Sequence, residues 1–289
     1  MSKSWSFKAR LFGFLSLMRP INCLMMGFAV IVGVLLAGER DMNAVTLTLG
    51  FLTAFTFTGA SMAFNDFCDR EIDRVNMPDR PIPRGVVSPK EALLFSIILT
   101  IIGFVSAFLT NFNCFLLTLL ACAFFVLYST KGKRTGLVGN MMVSACVSIP
   151  FIYGGFISSG NFEAVTLIFS GMAFLANTGR EVTKGITDIA GDRLRGINTV
   201  AVVHGPRKAA FVAVIFYLAA VSMSLIPQLK NLLSVWHLPL LILADAGFVY
   251  SSISLLLNPS RENAVRVKNQ VLMWMLFGLI SFMLGATLI

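Results

Sequence analysis

Asn65, Asp69 and Asp73 stand at i, i+4 and i+8 in the stretch NDFCDREIDRVNMPDRPIPRG, residues 65–85, which carries five carboxylates and four arginines. On an α-helix each step of four turns the chain by about 40° past a full circle, so all three share one face over about 12 Å. A second stretch, GREVTKGITDIAGDRLRG (179–196), repeats the interval with Arg180, Lys184, Asp188 and Asp192. Asp188 and Asp192 again fall on one face. Like charges so placed destabilise a helix by roughly 0.2–0.5 kcal/mol in water, and by more where water is scarce. Such ladders need a counter-charge. Asp and Asn oxygens are hard ligands that suit Mg²⁺, which commonly bridges a few carboxylates to substrate phosphates. The interleaved Arg70, Arg74 and Lys184, with Lys131, Lys133 and Arg134, are what the remaining oxygens of a diphosphate require. Either stretch alone reads as a solvated, ion-paired loop. Two of them, each merging with an apolar segment, point to a metal–diphosphate site. Pro78, Pro81 and Pro83 stop the first helix and stiffen a cap over the cavity, with Arg80 and Arg84 between them.

The elements that must hold these ladders are apolar. Of the 289 residues 56% are hydrophobic and 13% charged, with a mean hydropathy of +0.81, whereas a soluble domain keeps about 25% of its residues charged. Runs of membrane-spanning length recur at 20–37, 45–67, 91–110, 114–129, 138–157, 164–187, 209–226, 238–257 and 269–288. The expected fold is therefore all-α: one transmembrane domain over 1–289, with nine helices around a central cavity. No removable signal peptide is expected, since the first apolar run is too long for one. Taking 1–19, 68–90, 130–137, 188–208 and 258–268 as cytoplasmic, with Arg180 and Lys184 in the inner half of the sixth helix, only Arg40 and Lys230 of the 23 Lys and Arg fall outside. That bias predicts a multi-pass protein of the cell membrane with a cytoplasmic N-terminus and the site's loops on the cytoplasmic side. The net charge of +9 then faces anionic headgroups or an anionic substrate. Basic residues dispersed over membrane-flanking loops argue against nucleic acid as a partner, and no protein partner is implied. The five cysteines are scattered, mostly within apolar runs, and read as small hydrophobes. Asp245, inside LILADAGFVY of the eighth helix, is an intramembrane acid for which a structural hydrogen bond is favoured over a catalytic role.

N-D-x-x-D-x-x-x-D followed by R-P-I-P-x-G, with D-x-x-x-D after the sixth of nine helices, resembles the UbiA superfamily of intramembrane prenyltransferases. Within it, RPINCLM (19–25), DRPIPRG and GREVTKGITDIAGDR are most similar to archaeal digeranylgeranylglyceryl phosphate synthases. The resemblance implies that Asn65, Asp69, Asp73, Asp188 and Asp192 hold Mg²⁺ against a prenyl diphosphate, with the four aspartates central to catalysis. It implies diphosphate contacts from Arg70, Arg74 and Lys184, and from Tyr128 with Lys131 or Lys133 in YSTKGKR (128–134). Arg19 and Asn22 match cavity-facing polar positions, and Arg80, Arg84 or Arg19 are candidates for a second phosphate. The implied partners are a prenyl diphosphate, a lipid-soluble phosphate-bearing acceptor and membrane lipids. The implied reaction is transfer of a geranylgeranyl group to the hydroxyl of geranylgeranylglyceryl phosphate, with release of pyrophosphate, in archaeal ether-lipid synthesis.

Two other functions fit parts of the pattern. A transferase acting on an aromatic acceptor, such as a quinone or chlorin precursor, would share the donor chemistry and nearly the same motifs. An ion-coupled transporter would place acids near the bilayer midplane on broken helices; here the acids cluster at one end, and Asp245 alone is a midplane candidate. Neither histidine, His204 or His237, identifies itself as the base that takes the hydroxyl proton.

Overall fold

The computed structural model of the chain describes residues 5–38, 43–194 and 196–287, and every regular element among them is a helix. Lys3, Arg40 and Arg195, three of the basic residues weighed above, lie outside these residues. Residues expected as an inner segment form α1 (Phe7–Met18), whose first turn is capped by the Ser6 hydroxyl. A 46° bend at Arg19 leads into α2 (Pro20–Leu36). α3 (Ala44–Cys68) starts from an Asn43 cap and passes at Asp69 into the short α4 (Arg70–Asn76). Ser88 and Glu91 form a reciprocal cap on α5 (Pro89–Thr110), and Asn111 caps α6 (Phe112–Thr130) directly after it. A 3₁₀ turn, Gly132–Thr135, precedes α7 (Leu137–Ser158), then α8 (Ala164–Thr187). Two short helices, α9 (Ile189–Leu194) and α10 (Val200–His204), lead to α11 (Pro206–Ser224). α12 (Ile226–Leu229) and a second 3₁₀ turn lead to α13 (Leu238–Leu257) and α14 (Arg261–Thr287).

Long helices occupy all nine expected positions, but among the described residues only seven are long and apolar enough to cross a membrane, or eight counting the bent α1–α2 pair. α8 falls outside that set because Asn177, Arg180, Glu181 and Lys184 make its last turns polar. α14 begins eight residues before its apolar run, because RENAVRVK is polar overall yet buries Ala264 and Val267 at helical spacing. The exposed surface of α5 carries Leu94, Ile98, Ile101, Val105 and Phe108, a row that water does not tolerate and lipid does. The chain is a multi-pass membrane protein.

α2, α3, α5, α6 and α7 close one ring, and α8, α11, α13 and α14 a second. α2 joins them by packing on α7 and α14, and α8 by packing on α7. At the α2–α7 crossing the backbones touch: a methyl group on Gly154 would stand 2.6 Å from the Val34 nitrogen. In lipid, where apolar side chains gain little by leaving the solvent, close approach through small residues is what holds helices together.

Candidate active site

The first ladder keeps its pitch across the break between α3 and α4. The Asp69 N–H donates to the Asn65 carbonyl at 2.9 Å and the Asp73 N–H to the Asp69 carbonyl at 2.8 Å. The side chains nevertheless divide. Asn65 Nδ2 donates to Asp69 Oδ2 at 3.1 Å, and Lys133 Nζ, reaching over from the 3₁₀ turn, donates to the same oxygen at 2.5 Å. Asp73 is 5% exposed and accepts from Arg80 Nη1 at 2.6 Å. The expected face thus holds Asn65 and Asp69 together, while Asp73 is bound to the proline-rich loop.

That loop is anchored rather than loose. Ile82, Val86 and Val87 are buried with Leu17 of α1 and Ala63 of α3. The carbonyl of Pro81 accepts from the N–H groups of Val86 and Val87. Arg80 therefore projects from a packed turn, and it bonds both Asp73 and, at 3.2 Å, Asp66. Asp66 was not anticipated. It is 4% exposed and accepts from Arg19 Nη2 at 2.8 Å as well. Asp66 lies one residue off the Asn65 face, so a search by four-residue spacing passes it over; its partner lies 47 residues away in sequence. Arg19 occupies the left-handed region (φ 53°, ψ 72°) between α1 and Pro20, a conformation costing roughly 1–2 kcal/mol in a non-glycine residue. The ion pair with Asp66 helps to hold it there. Asn22 closes the same elbow, its N–H donating to the Arg19 carbonyl at 3.0 Å.

The other basic candidates separate by direction. Arg70 folds back on α3, donating to the Phe67 carbonyl at 2.9 Å with its guanidinium over the Phe67 ring. Arg74 pairs with Glu71 at 2.7 Å on the exposed side. Arg84 is exposed and lies over the Trp5 ring. Lys131 points outward, whereas Lys133 turns inward over the Tyr128 ring at 5.7 Å from its centroid. The Gly132 backbone packs so close to Gly139 that a side chain at 139 would strike the Gly132 carbonyl, which fixes the turn in place. Burial pushes the Lys133 ammonium below the ordinary lysine value, and the Asp69 carboxylate restores only part of the shift.

On the other side, Lys184 donates to both oxygens of Glu181 at 2.8 and 2.9 Å, with Arg180 Nη1 3.6 Å away. Glu181, 7% exposed, was also missed, although its spacing of three to Lys184 marks an intrahelical pair. Asp188 ends α8, exposed, and accepts from the Thr187 hydroxyl at 2.9 Å. The Asp192 N–H donates to the Asp188 carbonyl at 2.8 Å, so this ladder also keeps its interval. Tyr128 lies within electrostatic reach of Glu181, Asp69 and Asp192, and so of both acidic stretches.

Among the described residues no three His, Cys, Asp or Glu side chains converge closely enough to enclose a metal on their own. The donor chemistry nevertheless fits Mg²⁺: all the candidate ligands offer hard oxygens, and the buried Asn65 Oδ1 has no hydrogen-bond partner.

Below the charges the interior is apolar. A cavity with about 760 Å³ of empty volume lies between α2, α7, α8, α11, α13 and α14, reaching Met25 on α2 and Ala176 on α8. These are within one turn of Asn22 and Arg180. A second cavity, of about 390 Å³, lies between α2, α3, α6 and α7, and Met26 lines both. Asp245 lines the first cavity and accepts from the Ser224 hydroxyl at 2.7 Å, the hydrogen bond favoured for it.

A family model described as the UbiA prenyltransferase family matches residues 26–284. The digeranylgeranylglyceryl phosphate synthase of Methanosarcina mazei is 35% identical over 285 residues, 94% of this chain and 97% of that one. A solved structure of digeranylgeranylglyceryl phosphate synthase superposes with a TM-score of 0.78 at 28% identity, covering 97% of this chain and 99% of the other. A UbiA homologue from Archaeoglobus fulgidus bound to GPP and Mg²⁺ shares the fold, with a TM-score of 0.68 at 18% identity and coverage of 94% and 99%.

Proposed function

This chain belongs to the UbiA prenyltransferase family, and from that premise we propose that it transfers a geranylgeranyl group from its diphosphate to the hydroxyl of geranylgeranylglyceryl phosphate. The bond between the allylic carbon and the diphosphate breaks, an ether bond forms, and pyrophosphate and the hydroxyl proton leave. The observation that carries this reading is the bond from Lys133 to Asp69, with Tyr128 in electrostatic reach of Asp69, Glu181 and Asp192, one turn from a cavity with about 760 Å³ of empty space and an apolar lining. Such a site holds a charged head while an apolar chain stays in the hydrocarbon. The relatives named for this reaction add to the support.

Asn65, Asp69, Asp188 and Asp192 are the residues that would hold the metal; Asp73, bound to Arg80, serves the loop instead. Mg²⁺, when bound, supplies electrostatic stabilisation of charge developing on the leaving diphosphate. Lys133 provides a cation that can turn from Asp69 to the diphosphate oxygens, and the Tyr128 hydroxyl and Lys184 approach the same group. The apolar cavities keep water from the carbocation-like allylic carbon, and with Met26 between them they offer separate room for the chains of donor and acceptor. In this reading the nine long helices among the described residues all cross the membrane as a single domain, with the N-terminus and the site's loops cytoplasmic. The one-sided distribution of Lys and Arg supports that topology.

Purified protein in lipid vesicles, given labelled geranylgeranyl diphosphate and Mg²⁺, tests the proposal with a panel of acceptors. Geranylgeranylglyceryl phosphate should be prenylated in preference to aromatic quinone or chlorin precursors, and Asp69→Ala or Asp188→Ala should abolish turnover while the protein stays folded. Preference for an aromatic acceptor would overturn the substrate, near-wild-type turnover in either variant would overturn the site, and absence of pyrophosphate release would overturn the reaction.

A further inference from the structure

The ion pairs of the site divide unevenly between its two sides. Toward α3, Arg19 and Arg80 face Asp66 and Asp73, cation for carboxylate. Toward α8, Lys184 occupies both oxygens of Glu181 and leaves Arg180 only a 3.6 Å approach. Arg180 Nε instead donates to the Lys268 carbonyl of α14 at 3.2 Å. Lys268 is half-buried, and among the described residues its ammonium has no ion pair or hydrogen bond; the charges acting on it are Asp188, Lys184, Arg180 and Glu181.

Geometry sets these two cations at one depth. Arg180 is seven residues before the end of α8 at Thr187, and Lys268 seven after the start of α14 at Arg261. At 1.5 Å per residue each lies about 10 Å inside its helix end. The ends themselves are joined, with Arg261 Nε donating to the Thr187 carbonyl at 3.0 Å. Ala176, one turn deeper than Arg180, lines the large cavity. With Lys184 set against Glu181, and Asp188 set aside as a residue that would hold the metal, Arg180 and Lys268 leave a surplus of two positive charges one turn above the cavity. A phosphate monoester carries about −1.5 to −2 near neutral pH.

We propose that Lys268 and Arg180 form a subsite for the phosphate monoester of the acceptor lipid, separate from the donor's diphosphate site at Asp69 and Lys133. The acceptor is then held by its phosphate at the α8–α14 seam, and its hydroxyl, only a few bonds away, is presented to the allylic carbon from the side opposite the α3 carboxylates. The paired arginines Arg19 and Arg80, first weighed for this role, keep the proline-rich loop and the α1–α2 elbow in place.

This assignment rests on the reading of the reaction given above, so the test separates the two. Initial rates are measured in vesicles with geranylgeranylglyceryl phosphate and with the phosphate-free geranylgeranylglycerol, for wild type, Lys268→Gln and Lys268→Arg. Wild type should favour the phosphate-bearing acceptor. Lys268→Gln should raise its KM about tenfold or more, as loss of a charged hydrogen-bond partner does. The same variant should leave the KM for geranylgeranyl diphosphate and all constants for the phosphate-free acceptor near wild type, and Lys268→Arg should restore most of the preference. An equal rise in the donor's KM, an equal loss with the phosphate-free acceptor, or a preference that survives in Lys268→Gln overturns the subsite alone. A wild type that does not favour the phosphate-bearing acceptor overturns the reading beneath it, and the subsite with it.

Discussion

Asp66→Asn removes one charge and almost no volume from a carboxylate that faces two arginines. The wild-type group lies 2.8 Å from Arg19 Nη2 and 3.2 Å from Arg80 Nη1. At an effective dielectric constant of about 20, Coulomb attraction at these distances is roughly 5–6 kcal/mol per pair before desolvation is subtracted. Breaking a fully buried pair has a net effect of about 3–5 kcal/mol. Two features lower that figure here. The arginine side chains are 35% and 29% exposed, so water screens them, and Arg80 keeps Asp73 at 2.6 Å. Arg19 alone is left unpaired, in a strained backbone conformation, and the expected loss is about 2 kcal/mol, or a fall of roughly 5 °C in Tm for a chain of this size. Arg19→Gln in the Asp66→Asn background should then add little, a coupling of about 1–2 kcal/mol in a double-mutant cycle followed by thermal unfolding in detergent. Since Asp66 serves cations of the protein and not the metal, the Mg²⁺ concentration for half-maximal rate should be nearly unchanged in Asp66→Asn, while Asp69→Asn raises it by about tenfold or more. Additive losses in the cycle refute the ion-pair hub. A shift in Mg²⁺ requirement equal to that of Asp69→Asn refutes the division of the motif.

Lys133 is held below the ordinary lysine value by burial, so it should lose its proton, and donor binding with it, at a lower pH than an exposed lysine. kcat/KM for the donor should therefore fall on the alkaline side earlier than an exposed lysine would make it, and Lys133→Arg should move that limb to higher pH; an unmoved limb removes Lys133 from the diphosphate site. Between the lowered value and the ordinary one the unfolded chain binds more protons, so this residue's contribution to stability rises with pH there. Gly154→Val should separate α2 from α7, because a Cβ at 2.6 Å from the Val34 nitrogen meets backbone that cannot rotate away. A loss of about 1–3 kcal/mol is expected from such overpacking, read as a lower midpoint of thermal unfolding, and a variant as stable as wild type would show that the crossing is not tight.

What could be read from the chain before its structure was what repeats. Runs of apolar residues located the long helices to within a few residues, except for the polar first two turns of α14, because a bilayer demands about 20 in a row. Four-residue spacing found both acidic stretches, because their backbone interval survives even where α3 gives way to α4 and α8 to α9. What could not be read depended on partners distant in sequence. Asn65, Asp69 and Asp73 look equivalent by spacing, and only the packed loop carrying Arg80 separates Asp73 from the other two. Lys131 and Lys133 differ by a glycine, and only the turn that Gly132 makes against Gly139 decides which one faces inward. α1 went unseen because FKARLFGFLSLM, though mostly apolar, is only 12 residues long and carries Lys8 and Arg10, so a search for runs of spanning length begins after it.

The helix that composition alone would leave out of the membrane is the one the chemistry needs most. α8 carries Arg180, Glu181 and Lys184 in its last two turns and ends at Asp188, and its polar half would be unstable against hydrocarbon. It is tolerated because those turns are enclosed: Thr178, Glu181, Val182, Thr183 and Ile186 are buried, with α7, α11 and α14 packed around them. Gly179 lets the Tyr217 ring of α11 approach to where a Cβ would stand 2.6 Å away, and the Tyr217 and Thr183 hydroxyls share a 2.8 Å hydrogen bond. The charges therefore face inward over the cavity rather than outward to lipid. An enzyme joining two lipid chains at their polar ends must place its charges at this boundary, where helix ends meet the apolar interior, so that the reacting heads reach the charges without their chains leaving the bilayer.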